Sequence, residues 1–175
     1  MALRSLRILS ACAGVGGIDL GIKLACPGAR TVGYIEREVY AAACLVARME
    51  DQVLGHAPIW DDLGTFDGHP WRGVVDCIVA GLPCTPYSTA GKQRGHADER
   101  AIWPEFIRVV SEVQPALVFI ENVPAFVTRG WFREPGEKLC DLGYQIEDPL
   151  FLAAEDVGAP HCRTRVFLLA HRQGK

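Results

Sequence analysis

The chain has 175 residues, of which 49% are hydrophobic and 22% are charged. This length suffices for one domain with a hydrophobic core and is short for two, so we expect a single domain over residues 1–175. A formal net charge of −3 is unusual for a protein that binds nucleic acid unaided, because neutralised phosphates supply much of that affinity. Any DNA contact should therefore come from a local basic patch or from a partner.

The sequence indicates neither a membrane protein nor a metal-binding protein. No apolar stretch approaches the roughly 18 to 20 residues that a membrane span requires. The cysteines are odd in number, form no CxxC pair and show no zinc-finger spacing with histidine, which indicates reduced thiols in the cytoplasm and no metal. The seven cysteines stand at positions 12, 26, 44, 77, 84, 140 and 162.

Hydrophobic periodicity predicts strands that alternate with helices. The predicted strands are residues 6–10, 31–35, 59–60, 74–80, 116–120, 145–152 and 165–170, and the predicted helices are residues 18–25, 39–49, 99–113 and 133–142. Such alternation predicts an α/β fold with a mostly parallel sheet and helices on both faces. In such folds ligands bind beyond the carboxyl ends of the strands.

A glycine-rich loop connects the first predicted strand to the first predicted helix. Gly14, Gly16 and Gly17 would let the backbone approach a bound nucleoside closely and direct helix N–H groups toward it. A plain tight turn explains the same glycines equally well. Glu36 ends the second strand, where an acidic group typically binds ribose hydroxyls, so together these residues predict an adenosine-type cofactor.

Two reactive side chains follow buried strands. Cys84 lies between Pro83 and Pro86, and a backbone so restricted suits a nucleophilic thiol that must be held in place and kept partly ionised. Glu121 follows a very apolar strand and suits an acid that shares a proton near neutral pH. A structural cysteine and a capping or ion-paired glutamate remain open alternatives.

Six segments, read in order, resemble the successive sequence blocks of the carbon-5 cytosine DNA methyltransferases. Several blocks in one order are far more specific than any single block, and the resemblance spans about residues 6 to 171. The segments are Ala13 to Gly17, Glu36, Asp62-Leu63, Gly81 to Ser88 followed by Gly91 to Gly95, Glu121 to Val123, and His161 to Arg165.

The resemblance implies the Rossmann-like fold of S-adenosylmethionine-dependent methyltransferases and a reaction on double-stranded DNA. The Cys84 thiolate would add to ring carbon 6 of a cytosine flipped out of the duplex, because a stacked base exposes neither face. Glu121 would hold the exocyclic amine and ring nitrogen 3. Carbon 5 would then take the methyl group from S-adenosylmethionine, and loss of its proton with expulsion of Cys84 would release 5-methylcytosine.

The family also implies roles for matching residues around this centre. Arg165 would contact the base carbonyl and favour the Cys84 thiolate, Arg163 would orient the neighbouring loop, and Asn122 would fix the loop of Cys84. The cofactor contacts implied are Cys12, Ala13, Gly14, Gly16, Gly17, Ile18, Glu36, Arg37, Asp62, Leu63, Gly81 and Pro83. The substrate contacts implied are Pro83, Ser88, Lys92, Gln93 and Arg94.

The sequence departs from the family pattern in three ways. Cys12 stands where the family usually places an aromatic residue, and His161 stands where a glutamine usually opens the arginine block. The family's target-recognition domain and last two blocks do not occur within these 175 residues. Several interpretations stay open. The chain could be a subunit of a split enzyme or a homodimer, or a small stand-alone phage or prophage enzyme. It could also be a decayed remnant, a cofactor-binding module or an RNA cytosine methyltransferase.

Overall fold

The computed structural model describes residues 5–83 and 102–172. The strands are β1 (Arg7–Ala11), β2 (Arg30–Ile35), β3 (Ile59–Trp60), β4 (Cys77–Gly81), β5 (Leu117–Asn122), β6 (Tyr144–Ile146), β7 (Leu150–Ala153) and β8 (Thr164–Arg172). The α-helices are α1 (Gly17–Ala25), α2 (Val39–Glu50), α3 (Ile102–Val113), α4 (Ala125–Thr128) and α5 (Arg133–Asp141), and His69–Trp71 and Ala154–Val157 form short 3-10 helices. None of the helices in these two ranges has the length and apolar character needed to cross a membrane.

The strands form one sheet in the order β3-β2-β1-β4-β5-β8-β6, and β7 also pairs with β8. Strands β1 to β5 are parallel, whereas β8 runs antiparallel to its three neighbours. The predicted mostly parallel α/β sheet is confirmed. Because the chain changes direction across the sheet between β1 and β4, a ligand crevice is expected at the carboxyl ends of these strands.

Alternating side chains of the central strands pack against helices on opposite faces of the sheet. On one face, Leu9 and Ile78 belong to the large core that includes Val109 and Val110 of α3. On the other face, Ile8 and the buried Cys77 and Val79 pack with Ile18 and Ile22 of α1. The predicted coverage of both faces by helices is therefore confirmed, and the central strands are buried on both sides, as parallel strands usually are.

Two predicted strands differ from those observed. The single strand predicted over residues 145–152 was wrong, because the chain leaves the sheet at residues 147–149 and returns as β7. Pro149 lacks the N–H needed to continue the ladder. The strand predicted to begin at Val74 begins at Cys77, because the N–H groups of Val74 and Val75 both bond to the Trp71 carbonyl in a turn.

Candidate active site

The loop between β1 and α1 is held by its own backbone and by α2. Gly16 has φ +78, and a β-carbon there would lie 2.5 Å from Leu54 Cδ1, so glycine is required both by conformation and by space. Gly14 has φ +55, and no described residue outside its chain neighbours would lie within 4 Å of a β-carbon there. Arg48 of α2 donates a hydrogen bond to the Val15 carbonyl. One side of this glycine loop therefore packs inward while the other stays accessible.

Glu36, at the end of β2, bonds to the glycine loop. Its Oε2 accepts a hydrogen bond from the Gly14 N–H at 2.7 Å, and its Oε1 accepts one from the Glu38 N–H at 2.8 Å. The carboxylate thus joins the loop after β1 to the turn after β2. Arg37, which was expected to contact the cofactor, is exposed beside it.

The segment after β3 carries Asp62 and Leu63. Asp62 Oδ1 accepts a hydrogen bond from the Gly64 N–H at 2.9 Å, which forms a local turn, and Leu63 is buried. Arg108 of α3 donates to the carbonyl of Leu63 at 2.8 Å and forms an ion pair with Glu112 at 2.8 Å. Spacing along the helix predicts the Arg108–Glu112 pair. Nothing in the sequence pattern indicated that Arg108 supports the Asp62 segment.

Gly81, at the end of β4, lies against residues from three other elements. A β-carbon at Gly81 would lie 3.5 Å from the Cys12 carbonyl oxygen, 3.6 Å from Ile18 Cδ1 and 3.8 Å from Glu121 Oε2. The glycine loop, the end of β4 and the end of β5 therefore converge at this residue. Ala13 lies in the glycine loop and Gly17 begins α1, and the roles of both in cofactor binding stay predictions.

Cys12 precedes the glycine loop with φ 48. Burial, with a smaller contribution from the Glu36 charge, raises the pKa of Cys12 to about 12. Burial together with the Asp76 charge likewise raises the pKa of Cys77 to about 12. Both groups are therefore neutral thiols at pH 7, unsuited to nucleophilic attack.

Glu121 of β5 and Arg165 of β8 form an ion pair. Arg165 Nε lies 2.7 Å from Glu121 Oε1, and both side chains are half-buried. Arg163 lies just before β8 and is exposed. Its backbone carbonyl accepts a hydrogen bond from the Ala154 N–H at 3.1 Å. The structure therefore places Arg165, and not the side chain of Arg163, in contact with Glu121 among the described residues.

Asn122 is buried next to the segment that leads to Cys84. Its Nδ2 donates to the Leu82 carbonyl at 3.2 Å, and its Oδ1 accepts from the Val123 N–H at 2.8 Å. The end of β5 thereby positions the backbone before Pro83, which is exposed. The predicted site residues Cys84, Ser88, Lys92, Gln93 and Arg94 lie outside the described residues.

The site thus lies along one edge of the sheet, where β1, β2, β3, β4 and β5 end in succession. Residues 6–175 match the C-5 cytosine-specific DNA methylase family. The chain belongs to this family. The assignment made from the six sequence segments is confirmed.

Three proteins illustrate the relationship. Type II methyltransferase M.NgoMIV of Neisseria gonorrhoeae is 35% identical over 169 residues, which cover 93% of this chain and 50% of that protein. Type II methyltransferase M.Eco47II of Escherichia coli is 31% identical over 173 residues, covering 94% of this chain and 39% of that protein. The crystal structure of a Spodoptera frugiperda DNMT2 mutant shares the fold, with a TM-score of 0.77 and 20% identity over 97% of this chain and 51% of that one. The chain therefore spans about half or less of these proteins.

Proposed function

We propose that this chain carries the catalytic region of an S-adenosylmethionine-dependent DNA (cytosine-5)-methyltransferase. The observation that supports this most directly is the position of Glu121. Its carboxylate pairs with Arg165 at 2.7 Å and lies next to Gly81, which also contacts the loop that we assign to the cofactor. A base-binding carboxylate and a cofactor loop thus meet at one strand end, as methyl transfer between the two ligands requires.

The residues present fit S-adenosylmethionine. Among the described residues, none beyond the local backbone would lie within 4 Å of a β-carbon at Gly14 or Gly17, which leaves room for a ligand to approach the backbone there. Glu36 offers carboxylate oxygens to ribose hydroxyls, and Asp62 follows the neighbouring strand, within the segment that we assign to the adenine edge. When bound, S-adenosylmethionine supplies a methyl group activated by the positive sulfonium.

The groups that would act on the base come from β5, β8 and the segment after β4. Glu121 would hold the exocyclic amine and a proton at ring nitrogen 3, and Arg165 would keep that carboxylate oriented and donate to the base carbonyl. We assign the nucleophile to Cys84. Burial raises the pKa of Cys12, and a hydrogen bond to Glu155 is the main cause that raises the pKa of Cys162. A raised pKa leaves little thiolate at pH 7, so these two cysteines are poor nucleophiles, which favours Cys84.

We further propose that double-stranded DNA in the cytoplasm is the substrate and that sequence recognition comes from polypeptide outside these 175 residues, in the same protein or in a second subunit. The net charge of −3 supports this, because a DNA-binding surface normally adds cationic residues.

The test is covalent capture and methyl transfer with the purified chain. With S-adenosylmethionine present, DNA containing 5-fluorocytosine retains the adduct after methyl transfer, because fluorine takes the place of the carbon-5 proton that must leave, and we expect a protein–DNA species that withstands denaturation. Labelled S-adenosylmethionine should also transfer its methyl group to duplex DNA. Cys84→Ser should lose both signals, whereas Cys140→Ser, a change at an exposed cysteine in α5, should keep them.

Three results would contradict the proposal. The first is a protein–DNA adduct that persists in Cys84→Ser. The second is methyl transfer to RNA with none to DNA. The third is binding of S-adenosylmethionine with neither DNA capture nor methyl transfer, even when the remaining half of a related enzyme is added. The last would mean that the chain is a cofactor-binding module.

A further inference from the structure

A buried carboxylate joins three elements beneath the glycine loop. Asp19, in the first turn of α1, is 3% exposed. Its Oδ2 accepts a hydrogen bond from Ser10 Oγ of β1 at 2.8 Å, and its Oδ1 accepts one from Thr31 Oγ1 of β2 at 2.7 Å. One side chain therefore fixes the first turn of the helix to two neighbouring strands.

Burying this group is costly. Burial raises the pKa of Asp19, and the hydrogen bonds from Thr31 and Ser10 only partly oppose that effect. The side chains that bond to it in the described chain are neutral hydroxyls, and its remaining hydrogen bond is to a backbone N–H, so none of these partners is a cation that would offset the desolvation. An apolar side chain of similar volume would often occupy such a place at lower cost. A role beyond packing is therefore indicated for this carboxylate.

Asp19 is close in sequence to the residues that shape the loop. Gly16 is the N-cap of α1, and its carbonyl accepts the helix's first hydrogen bond, from the Leu20 N–H at 3.0 Å. Because Asp19 lies within that turn, its two hydrogen bonds set the direction in which α1 leaves the loop. Arg48 and Leu54 contact the loop from the opposite side, at Val15 and Gly16.

We propose that Asp19 is a positioning residue of the cofactor site, which holds the first turn of α1 against β1 and β2 and thereby keeps the glycine loop in its binding conformation. The inference rests on the proposed function, since the ligand is S-adenosylmethionine. Asp19 acts through the loop backbone and not by contact, because its carboxylate is buried beneath the turn.

The test compares S-adenosylmethionine affinity by calorimetry at a temperature where near-ultraviolet circular dichroism shows each variant folded. Asp19→Ala should bind at least tenfold more weakly. Asp19→Asn should stay within threefold of the unmodified protein, because an amide can accept from one hydroxyl and donate to the other. Tyr144→Phe is the matched control, since it removes a buried hydrogen bond to the Pro115 carbonyl, far from the loop, and should not change affinity.

A second measurement needs no ligand. Hydrogen exchange at the amides of Ala13, Gly14 and Gly16 should accelerate at least tenfold in Asp19→Ala, while exchange in β5 keeps the rate expected from the change in overall stability. If Asp19→Ala does not fold, Thr31→Val removes one of the two donors and takes its place in both measurements.

Each outcome has a distinct meaning. If Asp19→Ala matches Tyr144→Phe both in S-adenosylmethionine affinity and in the hydrogen-exchange rate of the glycine loop, Asp19 has only a structural role and the inference is overturned. Equal weakening in Asp19→Asn and Asp19→Ala would show that charge matters and not position, which also overturns it. If the unmodified chain binds no S-adenosylmethionine, the proposed function fails first and the inference fails with it.

Discussion

Arg165 Nε lies 2.7 Å from Glu121 Oε1, across the neighbouring strands β8 and β5. The two side chains are 22% and 25% exposed, which places the pair between a surface ion pair and a buried one. Surface pairs contribute about 0 to 1 kcal/mol, and burial adds a desolvation cost to the attraction. The pair therefore orients the Glu121 carboxylate more than it stabilises the fold.

Glu121→Gln should separate catalysis from stability. The amide cannot hold a proton for ring nitrogen 3, so single-turnover methyl transfer should fall by about 10²- to 10⁴-fold, the usual contribution of general acid–base groups. The free energy of unfolding in urea should change by no more than about 1 kcal/mol. A variant that transfers methyl groups at the original rate would remove Glu121 from the proposed site.

Arg165→Lys should lower transfer because an ammonium lacks the planar donors of guanidinium. We expect a loss of at least about tenfold, a modest part of the general acid–base contribution. Arg172→Lys is the matched control on the same strand, where Arg172 Nη1 bonds to Gln114 Oε1 at 3.0 Å. Equal losses in the two variants would indicate a general effect on β8 and not a role at the base.

Gly16, which ends the glycine loop, and Gly17, which begins α1, should respond to alanine in opposite ways. Gly16→Ala should cost at least about 1 to 2 kcal/mol of unfolding free energy, because φ is +78 and the new methyl group would meet Leu54 Cδ1. Gly17 has helical backbone, and no described residue would clash with a β-carbon there, so Gly17→Ala should leave the fold unchanged or stabilise it by up to about 1 kcal/mol.

Their effects on cofactor binding give the second half of that comparison. Since the open side of the loop is the proposed cofactor side, Gly17→Ala should weaken S-adenosylmethionine binding without loss of stability. Calorimetry beside urea unfolding tests this. Undiminished affinity in Gly17→Ala would place the ligand elsewhere.

Local sequence features were enough to predict the edge of the sheet on which the site lies. Strand periodicity and glycine turns are set over a few residues, so the position of Glu36 just after β2 and that of Glu121 near the end of β5 could be predicted to within a residue or two. The break at residues 147–149 was missed because the apolar residues before it, up to Ile146, and after it, from Leu150, resemble one strand interrupted only by Glu147, Asp148 and Pro149. Both pieces pair with β8, which a local pattern does not reveal.

Contacts between distant residues could not be predicted from one sequence. Asp19 looks like a polar residue of an exposed helix turn, and only the packing of α1 on the sheet brings it to Thr31. Arg108 reaches the Leu63 carbonyl across 45 residues of sequence. Such contacts depend on how elements pack, whereas periodicity reports only which face of each element is apolar.

Asn122→Ala should destabilise the segment before Cys84. Asn122 is 2% exposed and donates to the Leu82 carbonyl, so the substitution removes that donor and the acceptor for the Val123 N–H. Losing partners for buried polar groups costs about 1 to 3 kcal/mol. Urea unfolding checks this, and a change below about 0.5 kcal/mol, typical of surface substitutions, would contradict it.

Asn122→Asp is the sharper comparison. The carboxylate can still accept from Val123 but cannot donate to the Leu82 carbonyl, and burying a charge is costly. Its deficit in unfolding free energy relative to the unmodified chain should therefore be larger at pH 7 than at pH 5. A deficit that does not vary between pH 5 and pH 7 would show that the introduced group is ionised in the folded chain at both values, without a raised pKa, and would contradict this prediction.

Glu112 should make stability depend on pH in the acid range. Its side chain is 13% exposed and accepts hydrogen bonds from Arg108 Nη1 and the Gly68 N–H, each at 2.8 Å. Burial alone would raise the pKa of Glu112, but the Arg108 and Gly68 hydrogen bonds and the Arg108 charge outweigh it, and the folded pKa is lowered. The ionised group therefore stabilises the fold at pH values above about 4.3, the ordinary glutamate pKa.

That contribution is lost as pH falls through the lowered folded pKa, because the unfolded chain binds the proton first. Glu112→Gln should thus cost the most unfolding free energy at pH 7, and the difference from the unmodified chain should shrink toward pH of about 3. Urea unfolding at several pH values measures the difference. Glu105→Gln, at a 40% exposed partner of Arg108, is the matched control and should show a smaller dependence. A difference that grows on acidification would show that ionised Glu112 does not stabilise the fold.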